Sequence, residues 1–206
     1  MSKKHHLHYV LVADKSGSMI GQIDEVRREI NLQVAKLRND TTEDNPCSFT
    51  LRTFDSRVEN VAVNVPIDKV PIIKHEDYDL GGTTALFDAI GSTIVGLENT
   101  VLDRIDGDKE SLTMIVFSDG GENASSDFKA DDIKKMLDKY ENKNGFEIAF
   151  MGCDPQSFSD MDRVNMHYDR ILQYSKGGES AAFASMSKEV NDIRFKRKTK
   201  FQLGDK

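Results

Sequence analysis

Nowhere along its 206 residues does the chain carry the roughly 20 consecutive apolar positions that a membrane-spanning helix requires. The basic pair Lys3 and Lys4 precedes only about seven apolar-leaning residues before Asp14, short for a secretory leader, so a cytoplasmic protein with no membrane contact is expected. Cysteine is scarce as well. Cys47 and Cys153 each border an expected strand, and in a reducing compartment they read as small buried hydrophobes rather than a disulfide. Positive charge is in deficit: a formal net charge of -7 disfavours a protein that tracks a phosphate backbone and argues against nucleic acid as a partner. Repeats and low-complexity segments are missing, as are the phosphate-cradling P-loop pattern and the Gly-x-Ser-x-Gly turn of a serine hydrolase. What remains, 38% hydrophobic and 31% charged residues, is the composition of one ordinary globular domain.

Strand-like and helix-like segments alternate with little waste. The first strand is expected over 7–13, followed by a helix over 20–37 in which Ile23, Val26, Ile30, Val34 and Leu37 recur at spacings of three and four. Segments 48–54 and 58–65 flank Asp55-Ser56 and read as a tight hairpin whose second strand is an antiparallel edge. Residues 66–83 carry two prolines, a His-Glu-Asp cluster and Gly81-Gly82, too irregular for either element. A helix over 85–105 places Leu86, Ala89, Ile90, Thr93, Ile94, Leu97 and Val101 on one face and stops at Asp106-Gly107. The nearly unbroken apolar run 112–117 reads as a central strand covered on both faces. A helix over 128–142, a strand over 146–151, a short helix within 155–166, a short strand over 171–174 and a final helix over 180–195 complete the pattern. Residues 196–200 hold four basic side chains, so the domain is placed at 1–195 and 196–206 is read as a basic, frayed tail. The whole is a doubly wound α/β domain: a mostly parallel six-stranded sheet in order 3-2-1-4-5-6, strand 3 an antiparallel edge, with helices on both faces.

The first strand breaks into Asp14-Lys15-Ser16-Gly17-Ser18, which sets one carboxylate and two hydroxyls at alternate positions of a loop. Oxygen donors of this kind suit a hard cation, Mg2+ or Mn2+, where a soft metal would call for thiolate or imidazole. Three donors do not fill an octahedron, so others must come from elsewhere in the chain, from water or from a partner. Asp119 ends the fourth strand as Asp14 ends the first. In the expected strand order those strands are neighbours whose crossovers leave on opposite faces, and their loops open a crevice at the carboxyl edge of the sheet. The loop ending in Thr83 and Thr84 can close over it.

These residues carry a resemblance. Asp14-x-Ser16-x-Ser18, the Gly81-Gly82-Thr83-Thr84 segment that opens a helix, and Ser118-Asp119-Gly120 resemble the three parts of the metal ion-dependent adhesion site of von Willebrand factor type A domains, and the order of elements agrees over nearly the whole chain. The resemblance implies a stand-alone domain of bacterial or phage type that binds Mg2+ or Mn2+ and serves in protein binding without catalysis. It implies metal coordination by the hydroxyls of Ser16 and Ser18, with Asp14 and Asp119 acting through water or directly. The family threonine precedes a hydrophobic residue two positions on and a small one five positions on, which selects Thr84, with Leu86 and Ala89, over Thr83. Thr83 is then a loop neighbour that could cap the helix. Lys15 departs from the small or hydrophobic residue common at its position, and its side chain should point away from the ion. Hydroxyl-dominated coordination leaves positive character on the ion, so a partner Asp or Glu side chain would complete the shell. Chaperone-like ATPases and stress-response systems are the settings in which such stand-alone domains occur.

Three other readings compete. Ser18 could simply cap the first helix. Asp14 could serve magnesium-dependent phosphoryl transfer as nucleophile or metal ligand, although no second carboxylate lies two residues after it. His5, His6 and His8 crowd the N-terminus, yet two imidazoles sharing one strand face do not make a zinc site without further ligands. Glu122, beside Asp119, could meet the partner or repel it.

Overall fold

The computed structural model describes residues 4–140, 142–195 and 197–203. Lys3, Glu141, Lys196 and residues 204–206, which enter the expectations above, lie outside them. Six strands form one sheet: β1 (His6–Asp14), β2 (Cys47–Phe54), β3 (Val58–Pro66), β4 (Glu110–Ser118), β5 (Phe146–Gly152) and β6 (Ile171–Gln173). Their order is β3-β2-β1-β4-β5-β6, parallel throughout except for the antiparallel β2–β3 hairpin at one edge. This is the expected fold class and strand order.

Alternation along each strand divides the core in two. Leu7, Tyr9, Leu11 and Ala13 of β1 face α1 (Ile23–Asn39) and α5 (Glu179–Arg194), whereas Val10 and Val12 face the layer of α2 (Leu86–Leu97), α3 (Ala130–Tyr140) and α4 (Pro155–Arg163). Ile115 and Phe117 of β4 join the first layer, and Leu112, Met114 and Val116 the second. Because β1 leads to α1 and β4 to α3, the chain leaves adjacent parallel strands toward opposite faces and opens the crevice between their ends.

The helices deviate from the sequence reading at their ends. α1 begins at Ile23 rather than near residue 20, because Gly17–Met19 forms a 3-10 turn and Gly21, at φ +83°, breaks the helical path and leaves Ile20 73% exposed. The second helix does not run unbroken to 105: it loosens into a π-helical turn at Glu98–Leu102. The segment after α5 also departs from a frayed tail. Phe201 is buried in the α1-side core, Lys198 pairs with Glu189 at 2.5 Å, and the Leu203 amide donates to the Asp169 carbonyl at 2.8 Å. One aromatic ring among four lysines and arginines anchors this stretch through apolar burial. Cys47 and Cys153 are both free thiols.

Candidate metal centre

Two carboxylates stand where β1 and β4 end. Asp14 is fully buried: its Oδ1 accepts from the Ser16 amide at 2.7 Å, its Oδ2 from the Ser118 hydroxyl, and the Tyr78 hydroxyl donates to its carbonyl oxygen. Burial pushes the Asp14 carboxyl up to about 6 against the pull of the two serines, and the negative charge of Asp119 adds to the rise. Asp119 is 2% exposed. Its Oδ2 accepts from the Gln22 side-chain amide and lies 3.2 Å from the Lys176 ammonium, while its Oδ1 is buried with no hydrogen-bond partner among the described residues.

Hydroxyls from separate loops close in on this pair. Ser16 Oγ lies 3.0 Å from Ser18 Oγ. Neither serine makes a side-chain cap: Ser16 precedes the 3-10 turn without one, and Gln22 is the residue that flanks α1. Helix capping therefore does not explain Ser18. Thr84 is buried, and a Cβ built on Gly120 would come within 2.9 Å of Ser18 Oγ and 3.2 Å of Thr84 Oγ1, so both hydroxyls press on the space that Gly120 leaves open. Thr83 is exposed and caps nothing, since the residue flanking α2 is Ala85 and no side chain bonds there.

Backbone contacts hold the three loops together. The Gly17 amide donates to the Gly82 carbonyl at 2.8 Å and the Gly81 amide to the Lys15 carbonyl at 2.6 Å, while Asp55 Oδ2 accepts from the Gly82 amide at 3.0 Å. A side chain at position 81 would strike Asp55, its Cβ falling 2.0 Å from Oδ2, which is why glycine stands there. Asn123 clasps Thr84 from both sides, accepting from its amide at 2.9 Å through Oδ1 and donating its own amide to its carbonyl at 3.0 Å. As expected, Lys15 points away, to Glu59 at 2.8 Å.

Several contributors escaped the sequence reading. Gln22 and Lys176 reach Asp119, Ser118 steadies Asp14, and Asp160, fully buried, accepts from the Glu122 amide at 2.7 Å. Only Ser118 had a signal, its place in the Ser-Asp-Gly turn. The Glu122 carboxylate accepts from the amides of Phe87, Ala124 and Ser125 and so secures the turn to the start of α2. The histidines take no part. His6 and His8 stack with centroids 4.2 Å apart; burial first, then its neighbour His8, lowers His6 to about 4, and His8 is engaged by Ser48 at 2.8 Å and Glu110 at 3.0 Å.

Among the described residues no group of three or more His, Cys, Asp or Glu side chains could hold a metal ion. The set at the crevice is of another kind, two carboxylates with the hydroxyls of Ser16, Ser18 and Thr84. An unpartnered buried carboxylate oxygen beside a second buried carboxylate, with neutral oxygen donors around them, fits a hard dication. Lys176 supplies the nearby positive charge.

The fold is similar to those of solved proteins. The vWF domain of the type V pili tip protein Mfa5 from Porphyromonas gingivalis matches with a TM-score of 0.68 at 10% identity, over 91% of this chain and 96% of that one. A von Willebrand factor type A protein from Catenulispora acidiphila matches at 0.58 and 12% identity, over 91% and 42% of the two chains. The PilB minor pilin from Streptococcus sanguinis matches at 0.67 and 12% identity, over 95% and 63%. The chain thus spans under two thirds of the length of these last two proteins. No family model matches the sequence, and no curated protein matches it. The likeness establishes the von Willebrand factor A fold.

Proposed function

We propose that this chain is a protein-binding module that takes Mg2+ or Mn2+ at Asp14, Ser16, Ser18, Thr84 and Asp119, and that its partner offers an Asp or Glu side chain to the same site. The observation that carries the reading is the orphaned Oδ1 of Asp119 inside a buried acidic pair ringed by hydroxyls. When bound, the ion supplies the positive charge that pairs with both carboxylates and keeps a coordination position for an acid from outside.

The protein's own residues do the rest. Ser16, Ser18 and Thr84 are neutral donors and leave most of the cationic charge unquenched. Exposed Ser18, Gly82 and Thr83 form an open rim through which a partner's side chain can approach. That a pilus tip protein and a minor pilin share the fold supports an interaction role. Phosphoryl transfer is the weaker reading: Asp14 is fully buried, and no second carboxylate lies two residues after it to serve as acid or base. The reading is tested by immobilising the protein, passing lysate of its native host over it with Mg2+ or with a chelator, and repeating with Ser16→Ala. Capture that depends on the ion and is lost in the variant supports it; capture indifferent to both contradicts it.

A further inference from the structure

A cavity of about 370 Å3 lies between α2 and the β2–β3 hairpin, on the sheet face opposite α1. It is lined by residues that take no part in the metal centre, among them Arg52, Asn60, Asn64, Ser92, Thr93 and Gly96. Arg52 is its unusual member. Its Nη1 donates to Thr93 Oγ1 at 3.0 Å, its Nε is buried with no hydrogen-bond partner, and among the described residues no carboxylate pairs with it. Burial alone pulls its pKa below the ordinary arginine value, since no neighbouring acid offsets it. Ser92 Oγ, beside the same cavity, is also buried, with no hydrogen-bond partner among the described residues.

A second observation concerns the edge strand. Phe49 pairs with Val65 and Leu51 with Ala62, so β3 carries one extra residue here, and Asn64 adopts a left-handed φ of 49° with its amide bonded to Thr50 Oγ1 at 2.9 Å. Bulges of this kind re-aim side chains and are common beside binding sites. Leu97 and Val101 give the cavity an apolar wall.

We infer that this cavity binds a small organic acid, whose carboxylate meets the Arg52 guanidinium and whose apolar body lies against Leu97 and Val101. A guanidinium fork matches a carboxylate in two-pronged geometry. A single cation without a second in the lining balances a carboxylate's one charge better than a phosphate dianion.

The test is an NMR titration of the full chain with benzoate, benzamide and inorganic phosphate, following the Arg52 Nε–H and the amides of Asn64 and Gly96. Benzoate should give saturable shifts, with benzamide and phosphate weaker by about tenfold or more, the size of a charge-assisted hydrogen bond. Arg52→Gln should abolish the shifts. Gly96→Leu should abolish them too: position 96 is exposed on α2 and a Cβ there meets nothing within 4 Å, so the fold tolerates it while the side chain crowds the cavity. Asp119→Ala should leave them intact. Absence of saturable shifts, equal binding of benzamide, tighter binding of phosphate, or binding that survives Gly96→Leu would each overturn the assignment; if Arg52→Gln fails to fold, Gly96→Leu decides alone.

Discussion

The crevice at the ends of β1 and β4 and the cavity beside α2 hold opposite imbalances of charge. At the crevice two buried carboxylates face one exposed ammonium, and an oxygen of Asp119 has no partner among the described residues; at the cavity the half-buried guanidinium of Arg52 faces no acid among them. The two differ in how the chain builds them. Loops make the crevice, with glycines that let backbones pass close and amides that fix each turn. A strand makes the cavity: Arg52 occupies a position that in a fully covered sheet would be apolar, where α2 leaves the edge of the sheet open. Asp119 Oδ1 and Arg52 Nε are both buried with no hydrogen-bond partner among the described residues, and a bound ligand of opposite charge would offset each group.

Removing the charge of one region shows whether the other responds. Asp119→Ala should abolish the stabilisation by Mg2+, which at a concentration one hundred times the dissociation constant amounts to about 2.7 kcal/mol. Arg52→Gln should keep it, and urea unfolding with and without the ion measures both. Loss in both variants would mean that the regions are coupled.

A second experiment uses pH. Because burial raises Asp14 from 3.8 to about 6, its ionisation works against the metal-free fold above that pH, and protonation relieves it as pH falls through about 6 toward 3.8. Metal-free stability should therefore gain from this group on going from pH 7.5 to 5. Mg2+ affinity should move the other way, weakening about tenfold per unit below pH 6, as calorimetric titrations across that range would record. Smaller still is the effect of Lys176, which lies beside Asp119 but is largely exposed. Lys176→Ala should tighten Mg2+ binding by about threefold at low salt and by less at high salt. The smallest expected change is on the cavity side: Arg52→Met should leave unfolding stability unchanged or raise it by about 1 kcal/mol, since an apolar chain replaces an unpaired cation. Destabilisation beyond that would mean that Arg52 holds the hairpin rather than awaiting a ligand.

The same contrast explains what could be read from sequence. Apolar runs such as 112–117 and the stripe from Ile23 to Leu37 marked their elements because burial on one or both faces sets their period. Asp14, Ser16, Ser18 and Asp119 could be picked out because short turns keep their spacing in the chain. The residues of the helix it precedes favour Thr84 over Thr83; in the fold Thr84 is buried and Thr83 exposed. Gln22 and Lys176 could not: each is a lone polar residue whose approach to Asp119 depends on how α1 and the loop before α5 pack. Arg52 read as an ordinary strand residue, because only the bulge at Asn64 and the short reach of α2 leave it facing a cavity. The burial of Phe201 was hidden by the basic residues around it.

In the proposed site, oxygen donors of Asp14, Ser16, Ser18, Thr84 and Asp119 bind one hard dication. Paramagnetic broadening of amide resonances by substoichiometric Mn2+ tests it most directly. Selective loss of signals from 14–18, 82–84 and 118–121, reversed by excess Mg2+, is expected; broadening centred instead on residues 75–79, or none that Mg2+ reverses, would rule the site out.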